Sequence, residues 1–171
     1  MRSHQLRLMV VLLLAVGMLA AVAGPASAGQ MNEGPFHASI EAEFEVVGLC
    51  PSGAPLSHIS GSGTASHMGA ITIEGQQCLG AQGEVTWTAA NGDEITIQFI
   101  TVLLAPPGPD GSAPFEMPAS VVMGTGRFAS AHFGDDQPLS GTVWFNPDGS
   151  GHLVGSTEGT IVYDASDSSN G

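Results

Sequence analysis

The chain of 171 residues contains no lysine and only three arginines, Arg2, Arg7 and Arg127, against sixteen Asp and Glu. A surface this acidic repels phosphate backbones, so nucleic acid is not an expected partner. It also disfavours anionic membranes. There are only two cysteines, Cys50 and Cys78, with no Cys-x-x-Cys spacing that would suit a redox pair or a zinc site. No Gly-x-Ser-x-Gly elbow is present, which argues against a serine hydrolase. Helical periodicity is nearly absent after residue 28, and Gly and Pro are abundant there.

What is present begins with an export signal. Arg2, His4 and Arg7 precede an uncharged apolar run from Leu8 to Ala23. Gly24-Pro25 then breaks the helix, and Ala26-Ser27-Ala28 has the small-x-small form of a cleavage site. Residues 1–28 therefore read as a signal peptide, and the product as secreted or extracytoplasmic without stable membrane insertion. Cleavage removes Arg2 and Arg7 and leaves one Arg against sixteen carboxylates, a formal charge of −15. In an oxidising compartment Cys50 and Cys78 are expected to pair. Closing a loop of that length contributes roughly 3–4 kcal/mol.

Period-two alternation bounded by turn residues marks the rest as β-structure. Phe36, Ala38, Ile40, Ala42, Phe44 and Val46 fall on one face of a first strand, with Glu41, Glu43 and Glu45 on the other. Three carboxylates in one row supply too few converging oxygens for Ca²⁺, so a solvated outer face is expected. Further strands are expected over 56–64 and 70–78. Asn91-Gly92 joins strands over 84–89 and 94–100, because a tight hairpin needs residues that accept positive φ. The apolar run to Leu104 reads as covered on both sides. Residues 105–114 are a Pro-rich loop, 115–123 a strand, and 140–145 and 152–163 a closing hairpin. About eight strands without crossover helices predict an all-β fold, an eight-stranded antiparallel β-barrel. Its expected limits are 36–163, after a flexible segment at 29–35 and before a disordered tail at 164–171. Such a barrel holds either packed side chains or one small ligand.

Four side chains stand out as ligand-binding candidates: His67, Trp87, Arg127 and Tyr163. His67 would serve as an acid or base if it faced the lumen, and would otherwise bond a backbone carbonyl at a bend. Trp87 and Tyr163 suit either a stacking platform or the core. Arg127 would anchor an anion at the rim or, the favoured reading in so acidic a chain, pair with a carboxylate. No catalytic residue, metal ligand or cofactor is expected. The mature histidines have no zinc spacing, and Asp135-Asp136 and Asp148-Gly-Ser-Gly151 lack that of a calcium loop.

Gly124-Thr-Gly126-Arg-Phe-Ala129 has the form of a dinucleotide fingerprint, but Gly134 and Pro138 leave room for one or two helical turns rather than the long helix required. The same stretch, entered from Val121-Val122, resembles a signature of the allene oxide cyclase and dirigent-like barrel superfamily. Gly61-Ser-Gly63-Thr-Ala-Ser-His67-Met-Gly69 and Glu158-Gly-Thr-Ile-Val-Tyr163 are similar to stretches of its secreted bacterial relatives. The resemblance implies an eight-stranded antiparallel barrel, often trimeric, with a lumen open at one end. Met123 stands where the signature has its first Gly, and no residue here matches the acids of the enzymes' pockets. The expected product is a non-catalytic binding or interaction module with a small apolar ligand in its lumen. The alternative is a dirigent- or cyclase-like enzyme steering a reactive small molecule.

Overall fold

In a computed structural model, residues 31–134 and 138–164 are described; the expected signal peptide, Asp135-Asp136 and the tail beyond 164 lie outside them. The fold is all-β. Its strands are β1 (Met31–Leu49), β2 (Pro55–Ala65), β3 (Gly69–Cys78), β4 (Gly83–Ala89), β5 (Glu94–Phe99), β6 (Val102–Leu103), β7 (Ser112–Met117), β8 (Ala119–Gly124), β9 (His132–Phe133), β10 (Leu139–Phe145) and β11 (Gly151–Asp164). A single 3-10 turn, Gly126–Phe128, lies between β8 and β9. No helix among the described residues is long and apolar enough to cross a membrane.

All strands belong to one strongly curled antiparallel sheet, in the order β6-β7-β10-β11-β1-β2-β3-β4-β5-β8, with β9 paired to β11. The two ends of this order belong to one hairpin. Ile97↔Val121, Phe99↔Ala119, Val102↔Glu116 and Leu103↔Phe115 keep a common register, so β5–β6 runs antiparallel to β7–β8. Pro118 sits at the break between β7 and β8, where it cannot donate to a ladder. β7 pairs onward with β10, and β8 pairs with β5.

The alternation of β1 is realised from Phe36 to Phe44: Phe36, Ala38, Ile40 and Ala42 are buried, Phe44 packs against the core, and Glu41, Glu43 and Glu45 are exposed, whereas Val46, expected on the inner face, is exposed beyond the rim of the core. The strand starts earlier than its alternation suggests. Met31–Pro35, expected as part of a flexible segment, pair with Thr160–Asp164 of β11. A second difference concerns residues 100–104. Ile100, Val102, Leu103 and Leu104 are exposed rather than covered on both sides. The third lies in β8, where the pairing skips Val122 between Thr96↔Met123 and Ile97↔Val121. That bulge turns Val122 and Met123 outward. The concave face carries one continuous core that includes Phe36, Ile73, Trp87, Ile95, Phe115, Phe128 and Ile161.

Candidate functional site

The two ends of the curled sheet differ. One is formed by the β2–β3 and β4–β5 turns, the start of β1, the end of β11 and residues 125–133. Here Gly124 to Phe128 make a cap, and each residue has a local physical reason. An added Cβ at Gly124 would lie 2.7 Å from the Phe128 carbonyl carbon, so the chain can fold back only on glycine. The Thr125 N–H donates to the Glu94 carbonyl, and its Oγ1 accepts from the Glu94 N–H, both at 2.9 Å. Gly126 takes φ +54°, where a Cβ would also strike the Asp93 carboxylate. Phe128 is fully buried and closes this end of the core.

Arg127 ties the cap to two neighbouring turns. Its Nη2 donates to the His67 carbonyl. Its Nε lies 3.6 Å from Asp93 Oδ2, an ion pair rather than a hydrogen bond. The guanidinium also covers the Phe128 ring, with Cζ 4.9 Å from its centroid. His67 has a left-handed backbone, φ +67°, uncommon outside glycine. Its ring is held from both sides, with Nε2 3.0 Å from the Pro35 carbonyl and Nδ1 3.2 Å from the Tyr163 hydroxyl. The tautomer that satisfies both has Nε2 donating to the carbonyl and Nδ1 accepting from Tyr163. Tyr163 packs on Phe128, ring centroids 5.6 Å apart. Three of the four sequence candidates, His67, Arg127 and Tyr163, thus converge on one structural latch. The fourth, Trp87, lies apart in the core.

The opposite end is open. Inside the sheet a narrow cavity of about 50 Å³ is lined only by apolar residues, among them Ile40, Ile73, Trp87, Ile97 and Phe133. It shares Ile59, Met117 and Leu153 with a larger pocket of about 240 Å³ at the mouth. The mouth adds Phe44, Ser57, Gln77, Leu79, Gly80, Thr101, Leu103, Val143 and Phe145. No ionisable side chain lines either space among the described residues.

The Cys50–Cys78 disulfide forms and ties the turn after β1 to the end of β3. The residues beside its two cysteines, Leu49 and Leu79, are 72% and 66% exposed, the largest values among the exposed large hydrophobics. Next to the mouth, two turns repeat the sequence Pro-Asp-Gly-Ser, at 109–112 and 147–150, on the loops that follow the mouth residues Leu103 and Phe145. Ser112 and Ser150 donate from side chain and backbone to Asp110 and Asp148, and these bonds hold both carboxyls below the ordinary Asp range. Both are therefore ionised at neutral pH.

No family model, curated protein or solved structure matches the chain. The geometry of the two ends therefore carries the functional reading.

Sequence reasoning missed the mouth. Its lining is mostly ordinary Leu, Ile, Val, Phe, Ser and Thr, and none of the four candidate side chains borders it. The repeated Pro-Asp-Gly-Ser turns and the apolar neighbours of the two cysteines were the available signals.

Proposed function

We propose that this is an exported, non-catalytic barrel that binds a small apolar molecule at its open mouth. Counting β5 with β6 and β7 with β8 as single bent strands, and leaving aside the two-residue β9, would make this an eight-stranded antiparallel barrel, in keeping with the allene oxide cyclase and dirigent-like resemblance. Export through the residue 1–28 signal is supported by the disulfide, which persists in oxidising compartments.

The observation that carries the reading is the mouth pocket. At about 240 Å³ it exceeds the roughly 150 Å³ apolar cavity known to take up benzene and falls short of the roughly 300 Å³ at which drug-sized sites begin. The inner cavity of about 50 Å³ is too narrow for an independent ligand and serves as the floor. The absence of an ionisable group from both linings weighs against the enzyme alternative, which needs an acid, base or nucleophile within reach of the substrate.

Fluorescence titration with N-phenyl-1-naphthylamine, a neutral apolar dye, tests the reading. The wild-type chain should bind it with a blue-shifted, saturable signal. Ser57→Trp, which fills the mouth from a half-buried strand position, should weaken binding by about tenfold, or about 1.4 kcal/mol, while near-UV dichroism shows an intact fold. Saturable binding unaffected by Ser57→Trp, or no binding at all, would remove the mouth as the site.

A further inference from the structure

The chemistry of the mouth narrows its ligand, and this inference rests on the reading just given. Any group on the ligand that stays at the pocket edge meets Ser57, Gln77 and Thr101, all polar and all uncharged. Thr101 Oγ1 donates to Gln77 Oε1 at 3.0 Å, and Gln77 Nε2 donates to the Ala81 carbonyl at 3.0 Å. The threonine oxygen keeps its lone pairs for a hydroxyl donor at the pocket edge. No side chain there offers a counter-charge to an ion.

The surrounding charge points the same way. Asp110 and Asp148 occupy the loops that follow mouth residues Leu103 and Phe145. The one arginine after residue 28, Arg127, is at the opposite end, tied to His67 and Asp93, and the chain has no lysine. A carboxylate entering the mouth would lose water and gain only repulsion. An ammonium group would find the acids out on the loops and none in the lining. The exposed Leu49 and Leu79 extend the apolar path outward, and a pocket of about 240 Å³ suits one chain rather than several.

We infer that the mouth takes the single apolar chain of an uncharged amphiphile, such as a medium-chain alcohol, ester or glycoside, and discriminates against the corresponding carboxylate.

Displacement of N-phenyl-1-naphthylamine from the wild-type chain at about pH 8, where a carboxylic acid is ionised, separates the classes. The competitors are 1-decanol, decanoate and decyltrimethylammonium, each below its micellar concentration. Decanol should displace the dye at a concentration about tenfold lower than either ion. Thr101→Lys, which puts a cation at the edge, should improve displacement by decanoate about tenfold. Equal or better competition by decanoate or by the ammonium compound overturns the inference while leaving the mouth as an apolar site. So does a Thr101→Lys chain that binds the dye yet shows no gain for decanoate. Failure of the dye itself to bind the wild-type chain overturns the mouth reading, and this inference falls with it.

Discussion

Arg127→Ala separates a structural cation from a ligand anchor. The side chain makes three contacts of different strength. The bond to the His67 carbonyl is charge-assisted and contributes about 1.5–3 kcal/mol. The pair with Asp93 is one-third exposed on the arginine side and about one-fifth on the aspartate side, so it adds at most about 1 kcal/mol. Stacking on Phe128 adds about 0.5–1 kcal/mol. The contacts share one side chain and are not additive, so a loss of about 3 kcal/mol is expected. For a domain of this size that lowers the melting temperature by roughly 10 °C. Asp93→Asn keeps the carbonyl bond and should cost under about 1 kcal/mol. Thermal melts by circular dichroism, run beside dye titration, give both readouts. The cap lies at the far end from the mouth, so dye affinity should stay within about twofold of wild type. An unchanged melting temperature with lost dye binding would refute the latch and restore Arg127 as a ligand contact.

Two further perturbations probe the frame. Cys50 and Cys78 are 28 residues apart, and opening that loop removes about 3.6 kcal/mol in the chain-entropy treatment. The Cys50→Ala/Cys78→Ala chain should lose about 2 M from its urea midpoint and bind the dye more weakly, because Leu79 and Gly80 then lose their anchor; a midpoint shift below about 0.5 M would show the clip to be dispensable. Trp87 is buried, and among the described residues its Nε1–H has no hydrogen-bond acceptor. Trp87→Phe removes that desolvated donor, so urea unfolding should show a loss of under about 1 kcal/mol, and a loss above about 3 kcal/mol would mean that the donor is satisfied.

The legible parts of the fold are those where one local rule suffices. The alternation of residues 36–44 has a single buried solution, and the Asn91-Gly92 turn places Gly92 at φ +86°. Where two rules compete, the pattern misleads. Residues 99–104 are apolar on both faces, which reads as burial on both sides. The structure instead directs Thr101 and Leu103 to the mouth and leaves Ile100, Val102 and Leu104 exposed. The strand expected over 115–123 hides a bend at Pro118 and a bulge at Val122, in an arm whose first half, β7, pairs with β10 and whose second half, β8, pairs with β5. Among functional candidates, rarity is the guide: one Arg after residue 28, one Tyr, two Trp. Rare polar groups are also what a fold uses to fasten a cap, and His67, Arg127 and Tyr163 are spent there. The mouth uses common residues whose meaning lies in what they leave unfilled, and a linear pattern does not display a volume.

The contrast between the ends also bears on why the mouth stays open. At the cap, Phe128 fills the core and the arginine, histidine and tyrosine are all bonded. At the mouth the positions that border the pocket include Ser57 and Thr101, where larger apolar side chains would close it. Filling such a space generally stabilises a domain, by roughly 0.5–2 kcal/mol per site. The small residues therefore forgo stability that simple substitutions would supply, and Leu49 and Leu79 remain in contact with water beside them. A purely structural curled sheet has no reason to keep both features at one end while the other is tightly closed. Retained volume, an uncharged lining and an exposed apolar lip together support the proposed reading of the mouth as a site whose missing packing is completed by a guest.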